Sequence, residues 1–176
     1  NAIQMKNMYI FADEWHPTLF KKVADHIIGL DSLESYNGQD CANILWSYAT
    51  AKEANSKLFQ KVADHILSLD DLDEFSSQAI SNIVWACAAS NEHQPLLLQK
   101  LVDGAFTRQN EFTPQGIVNF LWAYASSGEV DRLLFLSFVP TVQSIIGECN
   151  RQQLANIAWS YAVANVAAPS LFSDNF

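Results

Sequence analysis

The sequence predicts an all-α protein, an αα-solenoid of about four 37–39-residue helix-turn-helix repeats. Three observations predict it. Four of the five tryptophans recur at Trp46, Trp85, Trp122 and Trp159, with spacings of 39, 37 and 37. Around each of them the same residue types stand at fixed offsets. Gln39, Gln78, Gln115 and Gln152 lie seven before; Asn43, Asn82, Asn119 and Asn156 lie three before; Ala49, Ala88, Ala125 and Ala162 lie three after. Finally, each unit holds two stretches of helical length, and one of them is apolar on so many sides that only stacked neighbours can bury it. No strand is expected, and the hand of curvature is left open.

The first helix of each unit is read from residues 58–67, where Leu58, Val62 and Ile66 with Phe59 and Ala63 form an apolar stripe at helical spacing. Leu19, Leu58, Leu97, Leu134 and Leu171 mark the same position along the chain, at a mean period of about 38 residues, in the range of solenoid repeats. The second helix opens at Asn37, Ser76, Thr113 and Asn150, nine positions before each Trp. All four are residue types whose side-chain oxygen accepts a free amide hydrogen of the first turn. The preceding residue, Tyr36, Phe75, Phe112 or Cys149, is paired with Cys41, Ile80, Ile117 or Leu154 five positions later, as in a hydrophobic staple. Pro114 falls at a first helical position, where a missing N–H costs nothing.

The second helix is apolar around most of its circumference, as in Ile83-Val84-Trp85-Ala86-Cys87-Ala88-Ala89, so an interior position is expected for it. The units then run over residues 19–57, 58–96, 97–133 and 134–170, after a partial repeat in 1–18 and before the start of another in 171–176. Tyr9 and Glu14 match Tyr48 and Glu53, and the chain is expected to be a fragment of a longer array with repeats missing on both sides.

Composition limits the function. Apolar residues make up 49% of the chain and charged residues 16%, enough to bury a sizeable core. The 10 Lys and Arg stand against 19 Asp and Glu, a formal charge of −9, which argues against a surface basic all over. No apolar run reaches the ~20 residues of a membrane-spanning helix, so no membrane insertion is expected. Three cysteines, Cys41, Cys87 and Cys149, have no metal-ligand spacing and suit a reducing, intracellular setting. The six glycines form neither a phosphate loop nor a dinucleotide fingerprint, and no nucleophile motif or His-Glu-x-x-His is present. The expectation is no enzyme, no cofactor, no metal and no small-molecule substrate.

The 38-residue period differs from that of the tetratricopeptide repeat, at about 34, and of ankyrin, at about 33. Armadillo and HEAT units are near it in length but lack the Gln-x-x-x-Asn-x-x-Trp-x-x-Ala core. That core, as in Phe112-Thr113-Pro114-Gln115-Gly116-Ile117-Val118-Asn119-Phe120-Leu121-Trp122-Ala123-Tyr124-Ala125, resembles the octotricopeptide repeat family over about residues 19–172. These repeats are similar to those of algal chloroplast translation and RNA-stability factors and of related proteins with a terminal RAP domain. The resemblance implies a solenoid that binds RNA selectively in a chloroplast or mitochondrion.

Candidate residues follow from the register, each with a structural and a functional reading. Trp46, Trp85, Trp122 and Trp159 are expected in the core rather than as base-stacking platforms. Asn43, Asn82, Asn119 and Asn156 are expected as buried amides bonded to the neighbouring helix; the alternative is reading of base edges. Gln39, Gln78, Gln115 and Gln152, in the first turn, are better placed for a partner. Lys22, Lys61 and Lys100, with Ser137 in the fourth unit, lie three before Asp25, Asp64, Asp103 and Pro140. They make either a solvated face of i,i+3 pairs or a lysine track for phosphates. His26 and His65 share a register position without a repeating third ligand. Six before Trp the residue varies as Asp40, Ala79, Gly116 and Gln153, suiting base selectivity, although Asp40 and Gln153 also suit a capping box. Single-stranded RNA is the leading partner, and a protein scaffold with an acidic surface, which the charge of −9 suits better, is the alternative.

Overall fold

The computed structural model describes residues 17–128 and 130–172. Trp15, the match of Tyr9 and Glu14, and residues 173–176 lie outside the described residues. The helices are α1 Pro17–Ile28, α2 Gly38–Ala51, α3 Ser56–Ser68, α4 Ser77–Ala89, α5 Pro95–Thr107, α6 Pro114–Ser126, α7 Arg132–Ile145, α8 Arg151–Val163 and the single turn α9 Pro169–Phe172. Short 3₁₀ turns at Gln109–Glu111 and Ile146–Glu148 precede α6 and α8. Among the described residues there is no strand, and the chain is all-α as its sequence predicts.

The helices pack in two rows. The odd-numbered helices follow one another in the first, and α2, α4, α6 and α8 lie side by side in the second. Backbones in the even row approach much more closely than in the odd row. Small residues at the facing positions, among them Ala42, Ser81, Ala86 and Ala123, permit this approach, and all four are at most 1% exposed.

Local chemistry sets the ends of the even helices. Asn37, Ser76, Thr113 and Asn150 all cap, accepting the backbone N–H of Asp40, Ala79, Gly116 and Gln153. Each even helix ends on a left-handed residue six positions after Trp: Lys52 (φ 58°), Asn91 (φ 53°), Gly128 (φ 80°) and Asn165 (φ 51°). At Lys52 the turn closes with Glu53 N–H on the Tyr48 carbonyl at 3.0 Å and Lys52 N–H on the Ala49 carbonyl at 3.2 Å. Lys52 carries a Cβ into this conformation, whereas Gly128 does not. Lys52→Gly should therefore stabilise the protein, by about 1 kcal/mol in urea denaturation.

Two tyrosines fasten even helices to the odd helices that precede them. Tyr48 Oη donates to the Phe20 carbonyl at 2.6 Å, and Tyr161 Oη donates to the Phe135 carbonyl at 3.0 Å. Between the rows lies an aromatic cluster in which Phe120 stands 5.6 Å from Phe112 and 5.6 Å from Phe138, centroid to centroid.

The connections are of two kinds. The separation from each Trp to the leucine of the following odd helix is the same in all four cases: Trp46 to Leu58, Trp85 to Leu97, Trp122 to Leu134 and Trp159 to Leu171. From leucine to the next Trp it differs. The stretches Leu19–Trp46 and Leu58–Trp85 are each two positions longer than Leu97–Trp122 and Leu134–Trp159. All variation in length therefore falls between the start of an odd helix and the Trp that follows it, and the caps nine positions before Trp place it ahead of the even helix.

Candidate nucleic-acid interface

Residues seven before Trp, three before it, at it and four after it share one face of a helix. On every even helix that face reaches solvent. Gln39, Gln78, Gln115 and Gln152 are exposed, Asn43 is exposed, and Asn82, Asn119 and Asn156 are half-buried. The Gln amide donates to the Asn Oδ1 one turn on, at 2.8 Å for Gln39–Asn43, 2.7 Å for Gln115–Asn119 and 3.1 Å for Gln152–Asn156. The expectation of amides buried against a neighbouring helix is thus corrected, because these three Asn side chains are bonded within their own helix. Each such pair keeps one Gln N–H and both Asn N–H groups for a partner. Gln39 and Gln152 also keep the carbonyl oxygen, which at Gln115 accepts from Gln153 at 3.0 Å.

The tryptophans are also corrected. Trp46, Trp85 and Trp122 are half-buried and Trp159 is 44% exposed, so they border the core rather than fill it. The reason is steric. The even row is closed by small and branched residues, and an indole has no room between backbones that close. The rings lie instead across neighbouring helices, with Trp46–Trp85 centroids 6.5 Å apart and Trp122–Trp159 centroids 6.4 Å apart. Four after Trp stand Thr50, Ala89, Ser126 and Val163. The four columns therefore hold no charge, in a chain with a net charge of −9.

The lysine track is not presented to solvent as a line. Lys22 is exposed, but Lys61 Nζ donates to the Leu30 carbonyl at 2.6 Å, just beyond the end of α1. Lys100 Nζ donates to the carbonyls of Leu67, at 3.4 Å, and Leu69, at the end of α3. Helix C-termini offer unpaired carbonyls and a partial negative charge, which holds an ammonium. The aspartates pair at i,i+4 rather than with these lysines: Lys21 with Asp25 at 2.7 Å, Gln60 with Asp64 at 2.7 Å and Gln99 with Asp103 at 3.1 Å. In the fourth unit Ser137 receives a hydrogen bond from Gln109 at 3.0 Å, and Pro140 sits exposed inside α7.

The variable column six before Trp is occupied by capping. Asp40 accepts the Asn37 N–H at 3.1 Å and Gln153 accepts the Asn150 N–H at 2.8 Å, each completing a capping box. Ala79 is buried, and the bond from Gln153 to Gln115 links α8 to α6. These four positions do not form one presented surface. His65 Nε2 lies 3.2 Å from the Tyr36 carbonyl while His26 is exposed, and among the described residues no three metal-ligating side chains cluster. Burial pushes the thiols of Cys41 and Cys87 up to about 12, leaving them protonated at neutral pH. Sequence reasoning missed Arg108, which donates to the Leu72 carbonyl at 3.0 Å and to Asp73 at 3.2 Å across the acidic connection before α4. A comparison with protein-family models and with curated proteins finds no match to this chain.

Proposed function

We propose that the chain is an αα-solenoid of four 37–39-residue helix pairs that holds single-stranded RNA along the Gln–Asn–Trp stripe of its even helices. One observation carries this reading: in all four even helices a Gln, an Asn and an indole reach solvent in register, on a face without charge. Indoles offer flat surfaces on which bases stack whatever their identity. The amide groups left over by the three Gln–Asn bonds supply both donors and acceptors for base edges. The resemblance to octotricopeptide repeats supports the same ligand and an organellar setting.

Because Lys61 and Lys100 are engaged with backbone carbonyls, the binding proposed here rests on stacking and amide contacts. Each phosphate contact contributes about 0.7 to the log–log salt slope for single strands, so a slope shallower than about −1 is expected. Trp46→Ala should weaken binding of unstructured RNA by about 1–3 kcal/mol, roughly 5-fold to 150-fold, with unchanged helicity. Fluorescence anisotropy with labelled single-stranded RNA at several salt concentrations tests both statements. The same engaged lysines and the charge of −9 favour a second reading, a scaffold for a basic protein. Absence of RNA binding at low salt would replace the first reading by the second.

A further inference from the structure

The stripe of amides and indoles is broken at one step, between α4 and α6. Trp46 meets Trp85 at 6.5 Å between centroids and Trp122 meets Trp159 at 6.4 Å. Among the described residues, Trp85 and Trp122 make no ring contact with each other. The helices themselves are no farther apart there, since α4 lies against α6 as closely as against α2. Two hydroxyls fix that contact. Ser77 Oγ donates to the Glu111 carbonyl at 2.9 Å, and Ser81 Oγ donates to the Gly116 carbonyl at 3.0 Å. Of the even helices, α4 alone has serine at these positions, eight and four before Trp.

The amides differ at the same step. Gln39, Gln115 and Gln152 each donate to the Asn one turn on, whereas among the described residues Gln78 and Asn82 have no side-chain hydrogen bond. Gln78 is exposed, and the Asn82 amide, on a half-buried residue, is not sealed from water. The next helix does not reach across either. Gln153 of α8 spans to Gln115 of α6 at 3.0 Å, but the same position of α6 is Gly116, with no side chain to send to Gln78. A Cβ there would stand 3.2 Å from Thr113 Oγ1 and 3.4 Å from Ser81 Oγ, so the packing itself favours glycine. A base entering between touching rings has to part them, and amides bonded to each other have to break that bond. At the α4–α6 step neither cost arises.

We infer that this step is the base-selective position of the stripe and takes adenine, stacked between Trp85 and Trp122 with Gln78 and Asn82 on its edges. The inference rests on the RNA reading above and adds a base preference to it. A carboxamide offers a donor and an acceptor side by side, and pairs with a matching acceptor and donor. Adenine presents that match twice, as N6–H with N7 and as N6–H with N1, through the two hydrogens of one amino group. Guanine shows two acceptors, O6 and N7, on its Hoogsteen edge, and pyrimidines have no N7. Two carboxamides together therefore match adenine best.

Fluorescence anisotropy of the full chain with short labelled RNAs of one length tests this. The probes are oligouridine, the same strand with one central adenosine, and the same strand with one central purine riboside. The last keeps the rings of adenine but lacks its amino group. The adenosine strand should bind at least about fivefold more tightly than oligouridine, and the purine riboside strand should lose most of that gain. Gln78→Ala with Asn82→Ala should bring the adenosine-to-uridine ratio to about one. Gln78→Ala alone, at an exposed position, should lower the ratio in the same direction, which keeps the test valid if circular dichroism shows the double variant less helical. Gln152→Ala should weaken both strands alike and leave the ratio as in the parent. Equal binding of the strands by the parent, a purine riboside bound as tightly as adenosine, or a ratio that survives the changes in α4 overturns this inference and leaves the RNA reading standing. Binding of no strand at low salt overturns both.

Discussion

Truncation of Phe120 to alanine is expected to cost about 3–5 kcal/mol, as removal of a large, fully buried aromatic does. Phe120 is shielded completely and stands between Phe112, Tyr124 and Phe138, reached from α6, α7 and the loop before α6. The space it leaves is bounded by elements fixed elsewhere, so collapse is limited. Trp85→Ala, by contrast, should cost about 2 kcal/mol or less, because half-buried Trp85 already spends part of its surface in water. Urea denaturation of the two variants checks the order. A larger loss at Trp85 would return the indoles to the core.

Replacing Lys61 and Lys100 together by methionine should be the next most damaging change. Methionine keeps an aliphatic stem over the surface but offers no donor to the carbonyls of Leu30, Leu67 and Leu69. Leaving a partly buried carbonyl unpaired costs about 1–3 kcal/mol at each site. RNA affinity and its salt slope should stay as in the parent, since neither ammonium faces the proposed stripe. A stable double variant with a flatter slope would instead restore the lysines as phosphate contacts.

The parts of this fold differ in how far the sequence foretells them. The caps at Asn37, Ser76, Thr113 and Asn150 were legible because capping is chemistry within three residues, and the structure forms all four. The stripe was harder. An even helix is apolar on most sides, so periodicity alone does not tell which side faces its neighbours. The signal that decides it is compositional: Gln39, Asn43 and Trp46 lie on one face, and Ala42, Ala49 and other small residues lie on another. Close-packed backbones need the small residues, which leaves the amides and the indole outside. The lysines gave no local signal at all. Their partners are backbone carbonyls 31 to 33 residues upstream, and a carbonyl has no residue identity to read. Lys52 in a left-handed turn was equally silent, since its neighbours at the same position are Asn91, Gly128 and Asn165.

The unequal connections have a consequence for how such a chain accepts insertions. After an even helix, the left-handed residue and the next odd helix follow in a fixed count from Trp, and an added residue there would rotate every helix beyond it. After an odd helix, the longer and the shorter stretch serve equally to reach the next Trp, so this joint absorbs a change of two without shifting the stripe. Loop length costs little entropy as it grows. New segments, tags or recognition loops are therefore best grafted after α1, α3, α5 or α7, along the edge that already holds Asp70, Asp71, Asp73 and Glu74. The exposed positions of that edge are free to diversify while the register of the indoles stays fixed; buried Leu72 and Phe75 and the carbonyls held by Arg108, Lys61 and Lys100 are not.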